Sequence, residues 1–280
     1  MKMIETTSIP NLYARTALGR AIDPRFRSNV LAVTVTVATA AVFGLYNYFA
    51  ADALASTWLT AAGAVFLSWA IGRELDPDRN ASAYVAMAVA FVYAIFAPAS
   101  LLLATGVLLA TRMISGTAGP GLQRLDVLAV IGLAALLGTS AVGAAALPGL
   151  AAGVVVIGRD STQSRALGLA TVVAGIAAAW LVAPVYQPSA TMGGSLLLLA
   201  VVTIALVSSI PAPRPQSTTD IGAAPLSARR LTGSRFAAAA IVGLAFALTG
   251  PIGVAASFGT AGAAICGVAV AGFLSTREYE

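Results

Sequence analysis

Histidine is absent from this chain of 280 residues, and cysteine occurs once, as Cys266. Without histidine, the chain lacks the usual proton shuttle at neutral pH and the commonest protein ligand for zinc, copper and haem iron. One cysteine excludes a disulfide framework and a metal site built of several thiolates. Charged residues make up only 10% of the sequence, against about a quarter in an average soluble domain. These absences exclude histidine-based catalysis, thiolate metal sites and disulfide-stabilised folds.

Apolar residues make up 59% of the chain. A helix needs roughly 20 mainly apolar residues to cross a bilayer, with a range of about 17 to 25. Such runs fill the chain from Val30 to Leu274 and predict an all-α, polytopic integral membrane protein of about ten transmembrane helices. Pro98, Pro148 and Pro251 mark three of the predicted breaks between spans. The predicted spans are 30–50, 54–72, 82–97, 99–114, 125–143, 145–158, 166–184, 192–210, 236–250 and 252–274.

The basic residues are distributed with a strict bias. All sixteen lysine and arginine residues lie in the N-terminal segment, in the C-terminal tail or in the second, fourth, sixth and eighth loops. Because lysine and arginine accumulate in cytoplasmic loops, the pattern predicts a multi-pass protein of the cell membrane with both termini in the cytoplasm. Topology and anionic lipid account for the net charge of +5, so a nucleic-acid partner is not predicted.

The spans and loops divide the chain into five predicted regions. A proline-rich stretch after the eighth span reads as a flexible linker, and the last two spans form a hairpin. The regions are a cytoplasmic or interfacial N-terminal segment (1–29), an eight-helix membrane core (30–210), a flexible cytoplasmic linker (211–235), a two-helix C-terminal hairpin (236–274) and a cytoplasmic tail (275–280).

Short sequence matches indicate an internal repeat. GRAIDP at Gly19–Pro24 matches GRELDP at Gly72–Pro77, and IGRE at Ile71–Glu74 matches IGRD at Ile157–Asp160. The second and sixth predicted spans end at matching positions, so the period is four helices and both copies have the same orientation. The sequence thus predicts a parallel four-helix repeat, whereas ten-span drug and metabolite exporters consist of inverted five-helix halves.

The stretch SWAIGRELDPDRNASA, Ser68 to Ala83, holds an unusual concentration of charge in the loop after the second span. Carboxylate oxygens are preferred ligands of Mg²⁺, and arginines are donors to phosphate oxygens. Two sets of candidate residues follow, with a solvated loop of mutually compensating charges as the alternative. The predicted metal ligands are Glu74, Asp76, Asp78 and Asp160, and the predicted phosphate-binding residues are Arg73, Arg79, Arg159 and Arg165.

This arrangement resembles the intramembrane prenyltransferases of the ubiquinone-biosynthesis type (UbiA superfamily). Those all-helical proteins have two aspartate-rich motifs, after helices two and six, that bind magnesium and a prenyl diphosphate through an Asp-x-x-x-Asp core. The corresponding segments here are Gly72-Arg73-Glu74-Leu75-Asp76 and Val156-Ile157-Gly158-Arg159-Asp160. The second aspartate of each core is present, Gly72 and Val156 replace the first, and Ser68 replaces an expected asparagine. The resemblance implies Mg²⁺ as cofactor and an isoprenoid ligand.

Three classes of function are consistent with these features. The first, a permease or flippase for a small or lipid-like solute, is favoured by ten spans without a catalytic residue set. The second is a prenyltransferase-related protein, with impaired activity, that acts on an isoprenoid diphosphate. The third is a non-catalytic membrane subunit or scaffold that packs against a membrane protein partner. Membrane lipids are expected partners in all three.

Overall fold

We describe a computed structural model of the chain. The described residues are 16, 18–19, 22–49, 56–118, 122–157, 162–182, 215–219, 224–250 and 255–276. They form an all-α fold without a strand, apart from an isolated antiparallel bridge between Thr218 and Pro225. The helices are α1 (Arg27–Phe49), α2 (Trp58–Leu75), α3 (Asn80–Phe96), α4 (Leu101–Ser115), α5 (Arg124–Gly138), α6 (Ala141–Ala144), α7 (Leu147–Ile157), α8 (Thr162–Val182), α9 (Ala228–Thr249) and α10 (Ala263–Thr276), with a π-helical segment (Phe258–Gly262) directly before α10.

Short polar residues and glycine set several helix ends. The Thr57 hydroxyl accepts a hydrogen bond from the Thr60 backbone N–H at the start of α2, and the Ser100 hydroxyl accepts one from the Leu103 N–H at the start of α4. Such caps satisfy backbone donors that the first helical turn leaves without a partner. At the end of α4, Gly116 has a left-handed backbone with φ 71°, a conformation in which side chains other than glycine are strained.

Helix α2 occupies the centre of the fold. It packs against α1, α3, α4, α9 and α10, while α4 links it to α7 and so to a second group of helices, α5 and α8. Close approach of α2 and α3 depends on a small residue, because a Cβ atom at Gly72 would lie 3.1 Å from the Ala83 Cα. Eleven residues of α2 are buried, including Val65, Ile71 and Leu75. The core is thus a set of closely packed helices rich in alanine.

Nine of the ten predicted spans coincide with helices, and the tenth, 192–210, lies outside the described residues. The predicted break near Pro148 is confirmed in position, although the proline itself lies in the first turn of α7, where its missing N–H costs nothing. One boundary is wrong: α9 begins at Ala228 rather than at 236, so the end of the predicted linker is helical. Ser227 provides its N-cap position.

Length and composition allow two of the described helices to cross a membrane: Arg27–Phe49 and Ala255–Gly272. Shorter apolar helices occur at Asn80–Phe96, Leu101–Ser115, Ala141–Ile157 and Ala166–Ala177. Two such helices alone are weak support for a membrane protein, because a buried core helix passes the same test, as does a signal sequence near the N-terminus. Only 22% of the qualifying window of α1 is buried, against 61% for Ala255–Gly272, so α1 differs from an ordinary core helix.

Candidate functional site

Charged side chains of the described residues gather at one end of the helix bundle. Contacts at this end join the last turns of α2 and α4, the loop before α3, the first turns of α5 and α9, and the end of α10. Contacts at the opposite end are between uncharged groups. There the Ser56 hydroxyl donates to the Ala97 carbonyl, and the Ser100 N–H donates to the Ala256 carbonyl at 2.8 Å. We refer to the first as the charged end.

Glu74 is the most deeply buried acidic residue at the charged end. Its side chain is completely inaccessible, and its Oε1 atom accepts a hydrogen bond from Nε of Arg112 at 2.8 Å. The Thr117 hydroxyl donates to Oε2, and the same arginine donates through Nη1 to the Leu18 carbonyl. Removing two charges from water is costly unless they are paired and hydrogen-bonded. Glu74 and Arg112 therefore join α2, α4 and the N-terminal segment as one buried ionic unit.

Asp76 lies directly after α2 and is 4% exposed. Its Oδ2 accepts a hydrogen bond from Nε of Arg79 at 2.9 Å and another from the Ser82 hydroxyl, while Nη2 of Arg235 lies 3.7 Å from Oδ1. Arg235 also donates from Nε to the Leu75 carbonyl at 2.9 Å, which holds the start of α9 against the end of α2. Arg79 reaches the Ala271 carbonyl of α10. Asp76 is therefore the centre of a network that includes α2, α3, α9 and α10.

Asp78 faces a different part of the chain. It accepts hydrogen bonds from the backbone N–H of Gln216 at 3.1 Å, from the N–H of Ser217 at 2.8 Å and from the Ser217 hydroxyl. The small burial of Asp78 raises the pKa of its carboxyl, but the Ser217 hydroxyl, the two N–H groups and the Arg79 charge outweigh it. The pKa therefore lies below its ordinary value of 3.8. Asp78 is an ionised anchor for residues 215–219.

The structure does not bring the predicted site residues together. Glu74, Asp76 and Asp78 each have a different set of protein partners, and Arg73 donates to the Asn80 side chain. Arg159 and Asp160 lie outside the described residues, and Arg165 lies on α8 with its side chain outside the description. Among the described residues no group of three or more acidic or cysteine side chains is placed to hold a metal ion. Magnesium and phosphate binding therefore stay predictions.

The solvated-loop alternative is half right. The charges do compensate one another, but Glu74 and Asp76 are buried rather than solvated. Their partners Arg112 and Arg235 were counted in the sequence only as part of the basic bias. Each stands at the edge of an apolar helix, and a lone arginine so close to an apolar run is a signal that it has a buried partner. The identity of that partner depends on which helix ends meet in space.

Two further polar contacts at the charged end have no counterpart in the sequence predictions. Arg230 donates from Nε to the Ile114 carbonyl at 2.7 Å and from Nη2 to the Met113 carbonyl at 2.9 Å, so it caps the end of α4. Asp126 is 3% exposed, accepts from the Gln123 N–H in a capping box, and also accepts a hydrogen bond from the Thr16 hydroxyl. Together they fix α9 and the N-terminal segment to the same end.

A shallow groove of about 420 Å³ lies beside this end, between α1 and α3. Its lining is mostly apolar, with one arginine. The lining residues are Pro24, Arg27, Val30, Leu31, Thr34 and Tyr84.

Comparison of the chain with protein-family models, with curated proteins and with solved structures finds no match. The resemblance to the prenyltransferases therefore stays a prediction from the two quoted motifs.

Proposed function

We propose that the chain is a multi-pass membrane protein with a cytoplasmic charged end, and that it acts as a permease or flippase for a small or lipid-like solute. The observation that carries the membrane assignment is the separation of apolar and charged surface. Six large apolar residues of α1 are 41–62% exposed. They are Val30, Leu31, Val33, Val37, Val42 and Leu45.

Other helices have exposed apolar faces of the same kind. Leu125 and Leu128 on α5 are 78% and 66% exposed, and Leu169 and Val173 on α8 are 66% and 55% exposed. Soluble monomers rarely expose contiguous apolar patches larger than a few hundred Å², whereas lipid is an equivalent solvent for such faces. Hydrocarbon contact therefore accounts for these surfaces.

The direction of insertion follows from the arginines. Nine arginines and five acidic residues with described side chains lie at the charged end, and a basic excess favours the cytoplasmic side. This supports cytoplasmic N- and C-termini and the cell membrane as location.

The state of the carboxylates favours transport over prenyl transfer. A diphosphate-ionising enzyme needs carboxylates free to hold metal ions before the bond breaks, but Glu74 and Asp76 are held by Arg112, Arg79 and Arg235. No described charged residue lies near the middle of a helix, where ion-coupled transporters usually place one. Uncoupled movement of a neutral or amphipathic solute fits this arrangement better. The prenyltransferase-related and scaffold functions remain the alternatives.

Cysteine accessibility tests the membrane assignment. Ser56→Cys and Asp78→Cys lie at opposite ends of the bundle, so in intact cells an impermeant maleimide should label only Ser56→Cys, and permeabilisation should expose Asp78→Cys. The native Cys266 is first replaced by alanine. Equal labelling of both positions in intact cells would contradict the assignment.

Transport is tested by reconstitution into liposomes that contain a fluorescent phospholipid quenched by dithionite from outside. Protein-free liposomes lose about half of the fluorescence, and a flippase is expected to raise this loss well above half. An unchanged loss would refute phospholipid flipping, and magnesium-dependent transfer of a radiolabelled prenyl group by the same protein would establish the enzyme alternative.

A further inference from the structure

We propose that the groove between α1 and α3 binds one anionic phospholipid, with the phosphate at Arg27 and an acyl chain along α1. This inference rests on the proposed membrane location and specifies a ligand class for it.

The groove has the shape and chemistry of one lipid chain with its headgroup. Arg27, Val30, Leu31 and Thr34 have the spacing i, i+3, i+4 and i+7, which places them on one face of α1. At a rise of 1.5 Å per residue, this face extends about 10 Å from Arg27 into the apolar part of the helix. Its one charged residue lies at the outer end, at the level of the membrane surface. A phosphate can therefore meet the guanidinium while the chain covers Val30 and Leu31.

Charge complementarity decides for an anionic occupant. Arg27 is exposed, and no described residue pairs with it, whereas the neighbouring Arg25 is held by Asp23 at 3.3 Å. The acidic side chains that would otherwise neutralise the charged end are committed: Glu74 to Arg112, Asp76 to Arg79 and Arg235. The groove mouth therefore keeps a positive potential, to which guanidinium and phosphate contribute charge-assisted hydrogen bonds.

Tyr84 completes the opposite wall. It lies one turn into α3, about 6 Å from the start of the helix, so its ring is close to the depth of Leu31 rather than of Arg27. Tyrosine is frequent at this level because its ring is apolar and its hydroxyl is polar. The ring can pack on the chain while the hydroxyl donates to a glycerol ester carbonyl.

Native mass spectrometry of the purified chain in a neutral detergent tests the proposal. The probes are dioleoyl phosphatidylglycerol and dioleoyl phosphatidylcholine, which have the same chains and different headgroup charge. We expect the first to bind more tightly, and Arg27→Gln to weaken it about fivefold, as one lysine or arginine near an anionic surface contributes about that factor. Arg25→Gln is the matched control, since it removes the same charge two residues away from the groove, and it should leave binding unchanged.

A second pair of variants tests the apolar part. Val30→Trp fills the groove and should abolish the tightly bound lipid, whereas Val42→Trp, at a similarly exposed valine of α1 outside the groove, should not. Equal binding of the two lipids, or equal effects of Arg25→Gln and Arg27→Gln, would overturn the proposal. Displacement by 10 mM inorganic phosphate would also overturn it, in favour of a phosphate site.

Membrane association of the same variants separates this inference from the one on which it rests. If the protein stays in the membrane after alkaline carbonate extraction but shows no lipid preference, only the groove proposal fails. If carbonate releases the protein, the membrane proposal fails as well.

Discussion

The buried pair of Glu74 and Arg112 is expected to be one of the strongest single contributions to the stability of the helix bundle. Glu74 is wholly inaccessible, and the Arg112 side chain is 9% exposed, so removing either partner leaves a buried charge without compensation. Such losses typically cost about 3–5 kcal/mol. We therefore expect Glu74→Gln and Arg112→Met each to lower the free energy of unfolding by about that amount.

The double variant distinguishes pairing from independent effects. With both charges removed, the glutamine amide can still meet the Thr117 hydroxyl, so Glu74→Gln with Arg112→Met should be no less stable than the weaker of the single variants. The coupling free energy of the cycle is then about 3 kcal/mol, at the upper end for residues in contact. Unfolding is followed by circular dichroism in mixed micelles of increasing dodecyl sulfate content.

A matched surface pair provides the control. Arg25 and Asp23 are 3.3 Å apart, but the Arg25 side chain is 89% exposed, and exposed ion pairs contribute about 0–1 kcal/mol. The cycle of Asp23→Asn and Arg25→Gln should therefore show a coupling below about 1 kcal/mol. If the Glu74 and Arg112 losses simply add, or if Glu74→Gln is as stable as the wild type, the structural role assigned to the pair is refuted.

Two other perturbations have defined outcomes. Gly116→Ala should lower stability by about 1–2 kcal/mol, because the position is left-handed and a Cβ there would lie 2.6 Å from the Arg230 guanidinium; Gly132→Ala on α5, where a Cβ meets nothing within 4 Å, should be neutral or stabilising by up to about 1 kcal/mol, and an equal loss at both sites in thermal unfolding would contradict this. Asp78→Ala should speed amide hydrogen exchange in residues 215–219; since the Asp78 pKa is lowered by folding, its contribution is complete above about pH 4 and is lost as the pH falls through the folded pKa below 3.8, so protection that persists unchanged at pH 2.5, or exchange in Asp78→Asn that matches the wild type, would show that the carboxylate does not hold the segment.

Helix positions could be predicted from the sequence, because apolar runs, prolines and helix caps are local signals. The loop of Glu74, Asp76 and Asp78 was placed at the correct helix end for the same reason. Its chemistry was not accessible in this way. Alternate spacing favoured three converging ligands, but Glu74 lies within the last turn of α2, Asp76 ends that helix and Asp78 lies in the following turn, so the three carboxylates face different neighbours.

Pairing between remote residues could not be predicted for a different reason. Glu74 and Arg112 are 38 residues apart, and Asp78 and Ser217 are 139 apart, so their contacts depend on the order in which helices pack. The basic bias gave the correct end of the bundle for each arginine but not its partner. The start of α9 was misplaced because Arg229, Arg230 and Arg235 suggested a loop, whereas two of them serve as caps and ion-pair partners on a helix.

The network around Asp76 imposes an order on assembly during synthesis. Arg79 is available to the carboxylate as soon as the loop after α2 is made, but Arg235 follows Leu75 by 160 residues, or about 10–30 s at ordinary elongation rates. Until then the Leu75 carbonyl and one oxygen of Asp76 lack a final partner, so the early hairpin of α2 and α3 is incomplete by one cation. Arrival of α9 supplies that cation and closes the charged end, so a chain truncated before α9 should leave α2 and α3 as a target for membrane quality control.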